Sequence, residues 1–333
     1  MFEGKKILIT GGTGSLGTAL TKKLLKTNVD TIRIYSRDEW KQINMQSLLD
    51  DKRLRFFIGD VRDKERLMRA LEDIDIVIHA AALKHIPVAE YNPFEAVKTN
   101  VNGTQNLIEA CLDKNVQYAL AIGTDKAVSP LNTYGATKLL MERLFVSANY
   151  YKGTHKTSFF GVRYGNVMGS RGSIIPLFFE QINENKKITV TNPEMTRFNI
   201  TMDEALDLII KSFENPIPGQ ILVPKLKAYR LQDIIDAIKE ITGINPEIEE
   251  IGLRQGEKMH ETLINKNELR NTYENGKDYM ILEKQSFTQD IEEKKLKKTS
   301  LHNEYSSDEV ELLQKNELKK ILEQERLIPK TNK

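Results

Sequence analysis

The first half of the chain alternates short apolar runs with amphipathic segments. Six runs have the length and apolar character of buried strands, at 5–10, 31–36, 54–60, 74–81, 118–124 and 157–165. Between them, apolar residues recur at helical spacing over 15–26, 64–73, 93–115 and 131–151. Strands that are apolar on both faces and separated by helices are typical of a parallel sheet covered on both sides. The pattern therefore predicts an α/β fold with a doubly wound parallel sheet.

After residue 165 the pattern becomes irregular. Helical spacing occurs over 175–185, 201–215, 231–243 and 257–264, and short strand candidates lie at 188–191 and 220–225. This mixture predicts a smaller α/β lobe over 166–284, with some of the chain returning to the main sheet. From about residue 285 onward the chain is rich in Lys, Glu and Asn. We expect 285–333 to be a charged, flexible tail with a helix over 306–325, where Ser306 and Glu309 suit a capping box.

Composition narrows the class of protein. The chain has 333 residues, with 49 Lys and Arg against 47 Asp and Glu, which gives a formal net charge of +2. That balance argues against a protein that coats nucleic acid. The single cysteine, Cys111, excludes an internal disulfide, and no apolar stretch approaches the ~18 residues of a membrane span. We therefore expect a cytoplasmic protein that binds neither nucleic acid nor membrane.

A glycine-rich turn joins the first predicted strand to the first helix. Gly11, Gly14 and Gly17 have a GxxGxxG spacing, in which Gly11 permits a tight turn and Gly14 lets the backbone approach a pyrophosphate. The helix N-terminus adds free N–H groups and the positive end of its dipole. In this strand–turn–helix context the motif predicts a Rossmann-type dinucleotide site within a domain spanning 1–165. The other turn residues expected at the cofactor are Thr13, Ser15 and Leu16.

The end of the second strand decides which dinucleotide is bound. An acid there suits a ribose 2′-hydroxyl, and an arginine suits a 2′-phosphate. Ser36 and Arg37 offer a hydroxyl and a guanidinium for a phosphate, and Lys41 lies one turn into the next helix. Asp38 keeps NAD open, although its position one residue later suits a helix cap. We therefore expect NADP rather than NAD.

Two further strand ends are expected to contact the cofactor. Asp60 and Val61 follow the third strand and are placed to reach the adenine. Ala80, Ala81 and Ala82 follow the fourth strand, and their small side chains allow the cofactor to lie against the backbone.

Tyr134 and Lys138 lie at positions i and i+4 of a predicted helix and so project from one face. A nearby ammonium favours a phenolate and lowers the pKa of the tyrosine. A tyrosine tuned in this way takes a proton from an alcohol whose hydride passes to a nicotinamide. The pair therefore predicts a redox step, with both residues also next to the cofactor.

Thr124, Asp125 and Lys126 follow the fifth predicted strand. Ligands bind at this carboxyl edge in doubly wound sheets. Thr124 is a candidate hydrogen-bond partner for the reacting hydroxyl. Asp125 and Lys126 add an acid and a base that alcohol oxidation alone does not require, and the alternative is a salt bridge within the loop.

Together these motifs resemble the extended short-chain dehydrogenase/reductase superfamily of nucleotide-sugar enzymes, over roughly residues 4–265. Several segments are similar to the UDP-N-acetylglucosamine 4,6-dehydratases that invert C5 and open pseudaminic acid biosynthesis. The similar segments are YSRDE (35–39), FFIGDVRD (56–63), HAAALKHIPVAEYNP (79–93), TDKA (124–127), YGATK (134–138), RYGNVMGSRGS (163–173), MTRF (195–198) and RQGEKMHE (254–261).

The resemblance implies a hydro-lyase that uses NADP catalytically. Tyr134 would take the proton of the C4 hydroxyl, with Thr124 as its hydrogen-bond partner and Lys138 tuning Tyr134. Lys126 would then remove the C5 proton, and Asp125 would protonate the departing C6 hydroxyl. Lys126 must be neutral for this step, and we expect burial beside Lys138 to lower its pKa. Reprotonation on the opposite face would give UDP-2-acetamido-2,6-dideoxy-β-L-arabino-hex-4-ulose.

The resemblance also implies contacts to a UDP-sugar. Asn166 is expected to donate to the sugar or diphosphate, and the guanidinium groups of Arg197 and Arg254 suit the diphosphate. Glu257 would accept from the ribose hydroxyls, and Lys84 would lie near the sugar. Arg171 is a further candidate.

Other functions stay open at this point. They are a C5-retaining dehydratase acting on a UDP- or GDP-linked amino sugar in a legionaminic-type pathway, a nucleotide-sugar 4-epimerase, and a non-catalytic NADP-binding sensor. The five histidines have no metal-ligand spacing, so we expect no metal. Similar enzymes pair through the helices that correspond to 93–115 and 131–151, which leads us to expect a homo-oligomer, either a dimer or a hexamer.

Overall fold

The computed structural model describes residues 1–170, 173–184, 186–282, 288–325 and 327–328. Its strands are β1 (Lys6–Thr10), β2 (Thr31–Ser36), β3 (Leu54–Ile58), β4 (Ile76–His79), β5 (Tyr118–Ile122), β6 (Ser158–Val162), β7 (Asn166–Val167), β8 (Ile188–Val190), β9 (Thr196–Ile200), β10 (Ile221–Pro224), β11 (Ala228–Arg230), β12 (Ile248–Glu250), β13 (Thr262–Ile264), β14 (Thr272–Asn275), β15 (Asp278–Ile281), β16 (Lys297–Lys298) and β17 (Tyr305–Ser306).

The helices alternate with these strands through the first half of the chain. They are α1 (Ser15–Leu24), α2 (Glu39–Leu49), α3 (Lys64–Ala70), α4 (Ile86–Tyr91), α5 (Pro93–Val97), α6 (Gly103–Asp113), α7 (Thr133–Tyr151), α8 (Ile174–Asn183), α9 (Met202–Lys211), α10 (Leu231–Thr242), α11 (Thr288–Glu293) and α12 (Lys315–Gln324).

A ten-stranded sheet forms the centre, in the order β16-β14-β15-β10-β6-β5-β4-β1-β2-β3. The neighbouring strands β10, β6, β5, β4, β1, β2 and β3 run parallel to one another. Beyond β10 the sheet continues with β15, β14 and β16, each antiparallel to the strand before it. The predicted α/β doubly wound sheet is confirmed. The strand at 221–224 pairs in parallel with β6, so it belongs to this sheet and not to the smaller lobe in which the periodicity placed it.

Both faces of the sheet are covered by apolar side chains. Ile7, Leu8 and Ile9 of β1 are fully buried, which is why the strand is apolar throughout. One face packs under α1 and α9, and the other under α3, α6 and α7. Cys111 lies buried in the second of these layers.

The helix predicted over 93–115 is interrupted. A π-helical turn, Lys98–Asn102, separates α5 from α6. Within it, the Asn100 side chain receives a hydrogen bond from the Leu83 N–H at 2.8 Å and donates to the Leu83 carbonyl at 3.0 Å and to Thr137 Oγ1 at 2.9 Å. The irregular turn therefore fixes the loop after β4 against α7, where it borders the expected cofactor site.

The remaining strands build the smaller lobe next to the main sheet. They form a β11-β9-β7 sheet and two strand pairs, β12-β8 and β13-β17, packed with α8, α10 and α12. The helix predicted over 257–264 is wrong: this stretch is irregular and ends in β13, which pairs with β17 near the C-terminus. A strand partner 40 residues away cannot be detected from local periodicity.

The C-terminal segment is packed against the molecule where the structure describes it. Its helix begins at Lys315 with Gln314 and Glu317 as the capping box, whereas Ser306 lies in β17, so the predicted start and cap are wrong. Leu318 and Leu322 are fully buried against α10, contrary to the expected flexible tail. Residues 285–287, 326 and 329–333 of the tail lie outside the described residues.

Candidate active site

The glycine turn lies at the carboxyl end of β1 and leads directly into α1. Gly11 has a φ of +66°, and a Cβ there would lie 2.9 Å from the Ala81 Cα, so this position requires glycine on both counts. A Cβ on Gly17 would meet Gly12 at 2.5 Å, whereas one on Gly14 would meet only the Gly11 carbonyl among the described atoms. The side of Gly14 is therefore open to a ligand in front of the helix N-terminus, which fits a pyrophosphate.

Asp38 and Arg37, the two candidates for contacting the ribose 2′ position of a dinucleotide, have different surroundings at the end of β2. Asp38 caps α2 by accepting from the Lys41 N–H at 2.9 Å, and it also pairs with Lys41 Nζ at 2.8 Å. The hydrogen bonds from Lys41 hold the pKa of Asp38 below its usual value. Arg37 lies 3.6 Å from Asp60 and is 59% exposed. The cap predicted for Asp38 is confirmed, and the guanidinium of Arg37 faces solvent beside Ser36, which fits a 2′-phosphate.

The other expected cofactor residues surround this edge. Asp60 is held by Arg62, and its carbonyl accepts from Tyr35. Val61 is buried against Gly103, so its side chain belongs to the core and only its backbone can face an adenine. The Ala81 N–H donates to Thr10 Oγ1 at 3.2 Å, which ties the alanine run to the end of β1.

Thr124 and Tyr134 are brought together by a close contact between two turns. Asn132 caps α7 by accepting from the Gly135 N–H at 2.8 Å, and a Cβ on Gly135 would lie 2.1 Å from the Lys126 carbonyl. Glycine at 135 therefore lets α7 begin directly against the turn that carries Lys126. Thr124 lies near enough to act on the Tyr134 hydroxyl and lower its pKa, so the two side chains can address one substrate hydroxyl together.

Lys126 lies among three oxygen acceptors. Its Nζ is 3.1 Å from Asp125 Oδ1, 2.9 Å from Asn166 Oδ1 and 3.5 Å from Glu261 Oε1. Burial lowers the pKa of Lys126, but the charges of Asp125 and Glu261 outweigh it and raise the pKa above its usual value. The expectation that burial beside Lys138 makes Lys126 neutral is wrong in this structure, because two carboxylates surround the ammonium.

Asp125 also has a raised pKa, which for a carboxyl group favours the neutral form. It is fully buried, and burial raises the pKa of its carboxyl together with the nearby charge of Glu261, against the pull of Lys126. Its Oδ1 accepts from Thr124 Oγ1 at 2.9 Å, and its Oδ2 has no partner among the described residues. An acid with a raised pKa next to an amine is suited to hold the proton that the amine gives up.

Lys138 does not act on Tyr134 in the way the sequence suggested. Its Nζ donates to the Ile122 carbonyl at 2.6 Å and to Met141 Sδ at 3.0 Å. Burial lowers the pKa of Lys138 to about 8. Burial also raises the pKa of Tyr134, and the ammonium that opposes this is that of Lys126. The predicted lowering of the pKa of Tyr134 by Lys138 is therefore wrong for the protein without ligand.

A cleft of about 440 Å³ opens from this cluster toward the smaller lobe. Asn166, Arg197, Arg254 and Glu257 line it, whereas Lys84 is exposed and its neighbour Ile86 reaches the wall. The predicted Arg171 lies outside the described residues. Four of the five expected substrate residues therefore border one cleft.

The arginines of the cleft differ in how they are held. Arg197 donates to the backbone carbonyls of Thr196, Met259 and Lys258, whereas Arg254 is 55% exposed and lies 4.0 Å from Glu257. Arg254 is thus free to turn toward a diphosphate, and Arg197 forms part of the floor.

Several buried oxygens of the cleft lack partners among the described residues. They are Ser173 Oγ, Glu257 Oε2 and Glu261 Oε2. Buried acceptors are nearly always satisfied in native proteins, so a ligand rich in hydroxyl groups fits this wall. Glu261 was missed as a separate candidate, although it ends the similar segment 254–261, because nothing in the local sequence distinguishes it from the other charged residues of that segment.

No helix in the described part of the chain is long and apolar enough to cross a membrane. In the same residues, no three His, Cys, Asp or Glu side chains are grouped to hold a metal ion.

Comparisons with known proteins agree with this geometry. Residues 7–283 match the family model described as polysaccharide biosynthesis protein. A UDP-N-acetylglucosamine 4,6-dehydratase (inverting) from Campylobacter jejuni is 47% identical over 283 residues, 84% of each chain. A UDP-glucose 4-epimerase from Rickettsia felis is 41% identical over 285 residues, again 84% of each chain.

The same fold is found in solved structures. That of Pen from Bacillus thuringiensis is 40% identical, covers 99% of this chain and 100% of that chain, and has a TM-score of 0.92. More distant dehydratases and 4-epimerases with this fold are described in complex with NAD. The chain therefore belongs to the polysaccharide biosynthesis protein family of extended short-chain dehydrogenases/reductases, together with the inverting UDP-N-acetylglucosamine 4,6-dehydratases.

Proposed function

We propose that the protein dehydrates UDP-N-acetylglucosamine at C4–C6 with inversion at C5, using NADP. The observation that carries this proposal is the contact of the Asp125–Lys126 pair with the Thr124–Tyr134 pair at the end of β5. An oxidoreductase that only oxidises an alcohol needs the second pair alone. A buried acid and amine next to it supply the proton transfers of an elimination.

The residues of the oxidation step are Tyr134 and Thr124. Tyr134 takes the proton of the C4 hydroxyl, and the neighbouring hydroxyl of Thr124 orients that group. Bound NADP supplies the acceptor and donor of hydride. Arg37 and Ser36 would hold its 2′-phosphate, and the turn from Gly11 to Gly17 would hold its pyrophosphate.

The elimination needs one proton to move between neighbouring side chains. Lys126 gives a proton to Asp125, which leaves an amine and a carboxylic acid. The amine removes the C5 proton, which the C4 ketone has acidified, and the acid protonates the C6 hydroxyl as it leaves as water. Lys126 ends as an ammonium and Asp125 as a carboxylate, so the pair returns to its starting charge.

The cleft supports a UDP-linked amino sugar as the substrate. Asn166 accepts a hydrogen bond from Lys126 and so lies at the sugar end of the cleft. Arg254 and Glu257 line the same cleft, where they would bind the diphosphate and the ribose. Guanidinium groups bind diphosphate oxygens well, and the free oxygen of Glu257 can accept from a ribose hydroxyl. The product would enter pseudaminic acid biosynthesis.

We also propose that the protein is cytoplasmic and assembles with copies of itself. Phe94 and Leu140 are exposed on α5 and α7, within the two stretches through which pairing was expected, and Tyr91 is exposed on the preceding helix α4. Exposed apolar groups on neighbouring helices are typical of an interface between subunits.

Proton NMR in heavy water tests the proposed reaction. The protein is incubated with NADP and with UDP- or GDP-N-acetylglucosamine in parallel. We expect a 4-keto-6-deoxy product from the UDP-sugar, with deuterium at C5 and L-arabino couplings. The variant Lys126→Met should form this product at least ~100-fold more slowly, because it lacks the base, while the surface control Lys227→Met should resemble the wild type. D-xylo couplings would overturn inversion.

A second candidate is a 4-epimerase, which the 41% identical relative from Rickettsia felis favours. The same spectra separate the two functions. A C4 epimer of a UDP-sugar that keeps its C6 hydroxyl and gains no deuterium at C5 would reject dehydration.

A further inference from the structure

Among the residues that the structure describes, Glu261 is the one acidic side chain that reaches Lys126 from the smaller lobe. Its Oε1 lies 3.5 Å from Lys126 Nζ and 3.8 Å from Arg197 Nε, and its side chain is 5% exposed. Its Oε2 is buried, borders the cleft and has no partner among the described residues. A buried carboxylate that serves only folding normally has hydrogen-bond partners on both oxygens. The unpaired Oε2 therefore indicates that Glu261 has a role in the active site.

The backbone of Glu261 is held by the C-terminal segment. The Glu261 N–H donates to Ser307 Oγ at 2.9 Å, and the Ser307 N–H donates to the Glu261 carbonyl at 2.8 Å. Ser307 Oγ is also 2.6 Å from Thr196 Oγ1 on β9. Ser307 is fully buried and follows β17, which pairs with β13 immediately after Glu261. The C-terminal segment thereby fixes the position of the Glu261 backbone next to Lys126.

We propose, as an extension of the proposed function, that Glu261 is a positioning residue for proton transfer, which holds Lys126 against Asp125, and that Ser307 holds Glu261 in place. The ammonium of Lys126 has three hydrogens, and Asp125, Asn166 and Glu261 lie around them. Glu261 keeps the ammonium turned toward Asp125, the group that receives its proton. It does not take the proton itself.

The charges around the cluster explain why the proton goes to Asp125. Burial raises the pKa of Glu261, but Lys126, Arg197 and Lys258 outweigh it, so the pKa of Glu261 lies below its usual value. Burial and the negative charge of Glu261 both raise the pKa of Asp125. The negative charge of Glu261 therefore favours a proton on both members of the Asp125–Lys126 pair. Further groups also interact with the charge of Lys126; they are Tyr134, Tyr229, Lys258 and Arg197.

The first test measures Lys126 in the protein without substrate. A small acylating reagent reacts only with the neutral amine, and peptide mass spectrometry follows Lys126 as the pH is raised. In Glu261→Gln we expect Lys126 to react at a pH at least about one unit lower than in the wild type, because a charge within ~4–6 Å is lost. Glu261→Asp, which keeps the charge, should stay near the wild type, and so should the exposed control Glu304→Gln.

An unchanged reactivity profile in Glu261→Gln would overturn the inference. If that variant does not fold, Ser307→Ala carries the test, since it removes one hydrogen bond to Glu261 and leaves all charges in place. It should shift Lys126 in the same direction by a smaller amount. A Ser307→Ala profile equal to that of the wild type would then count against the proposal.

The second test measures turnover. Glu261→Gln should lower kcat for C5 deuterium incorporation about tenfold or more, leave KM nearly unchanged and move the pH optimum to lower pH. A loss in KM alone would show that Glu261 only binds substrate and would reject the positioning role. If the wild type forms no dehydrated product, the proposed function fails, whereas the reactivity of Lys126 still decides the role of Glu261.

Discussion

Two buried lysines of the site show how neighbours set the chemistry of one residue type. Lys126 lies between carboxylates, and its pKa is raised; Lys138 lies on a carbonyl and a thioether, and burial lowers its pKa to about 8. The same burial acts on both, so the difference comes from the charges that compensate it. Lys126 therefore becomes neutral only by passing its proton to Asp125. Lys138 loses its proton at about pH 8 without such an acceptor.

The pKa of Lys138 predicts a basic limb in the activity profile. Lys138 is an ammonium below pH 8 and an amine above it, because its pKa is depressed from the usual 10.5. We expect kcat/KM of the wild type to fall above about pH 8, because a neutral amine holds the Ile122 carbonyl, at the end of the strand that leads to Thr124, more weakly than an ammonium does. Lys138→Arg keeps its charge throughout this range, so its basic limb should lie at least about one pH unit higher, at lower overall activity. If the basic limbs of the two pH profiles superimpose, the fall in kcat/KM does not come from the deprotonation of Lys138.

At the scale of elements, the strand ends are fastened to one another by buried polar groups. His79, at the end of β4, has its Nδ1 2.8 Å from Thr10 Oγ1 and its Nε2 3.1 Å from Thr104 Oγ1. Burial lowers the pKa of His79 to about 3, so the ring is neutral in the folded protein. The ring thus joins β1, β4 and α6 just behind the glycine turn.

His79 should make folding depend on pH. The unfolded chain binds a proton at His79 near pH 6.5 and the folded protein only near pH 3, so stability is lost as pH falls below about 6.5. Between pH 6.5 and pH 5.5 the loss amounts to about 1 kcal/mol in the free energy of unfolding, because half of the unfolded chains already carry the proton at pH 6.5. Urea unfolding at both pH values should show that loss in the wild type and not in His79→Gln. Equal losses in the two proteins would contradict it.

At the scale of the whole molecule, Arg163 connects the main sheet with the chain that follows the smaller lobe. It is 1% exposed at the end of β6 and donates to Glu142 of α7 at 2.7 Å, to Glu268 at 2.9 Å and to the Leu263 carbonyl at 2.8 Å. Glu142 also acts on Lys138, and Leu263 follows Glu261 closely. This buried group of charges therefore fixes the two sides of the site relative to each other.

Removing Arg163 should destabilise the protein strongly. Arg163→Met leaves two buried carboxylates without their partner, and we expect a loss of about 3–5 kcal/mol in the free energy of unfolding. Arg230→Met removes an exposed pair with Asp233 and should lose at most about 1 kcal/mol. Chemical unfolding of both variants measures the difference. Similar losses would mean that the Arg163 group does not hold the molecule together.

The sequence by itself determined the parallel sheet, the glycine turn, the cap at Asp38 and the residues at the end of β5. These follow from local rules, because strand periodicity, helix caps and tight turns depend on residues close together in the chain. The tertiary structure decided the rest. It made 257–264 irregular chain and a strand, placed Glu261 beside Lys126, and brought Ser307 behind Glu261. Charge interactions depend on distance in space, so the protonation of Lys126 could not be predicted from its neighbours in sequence.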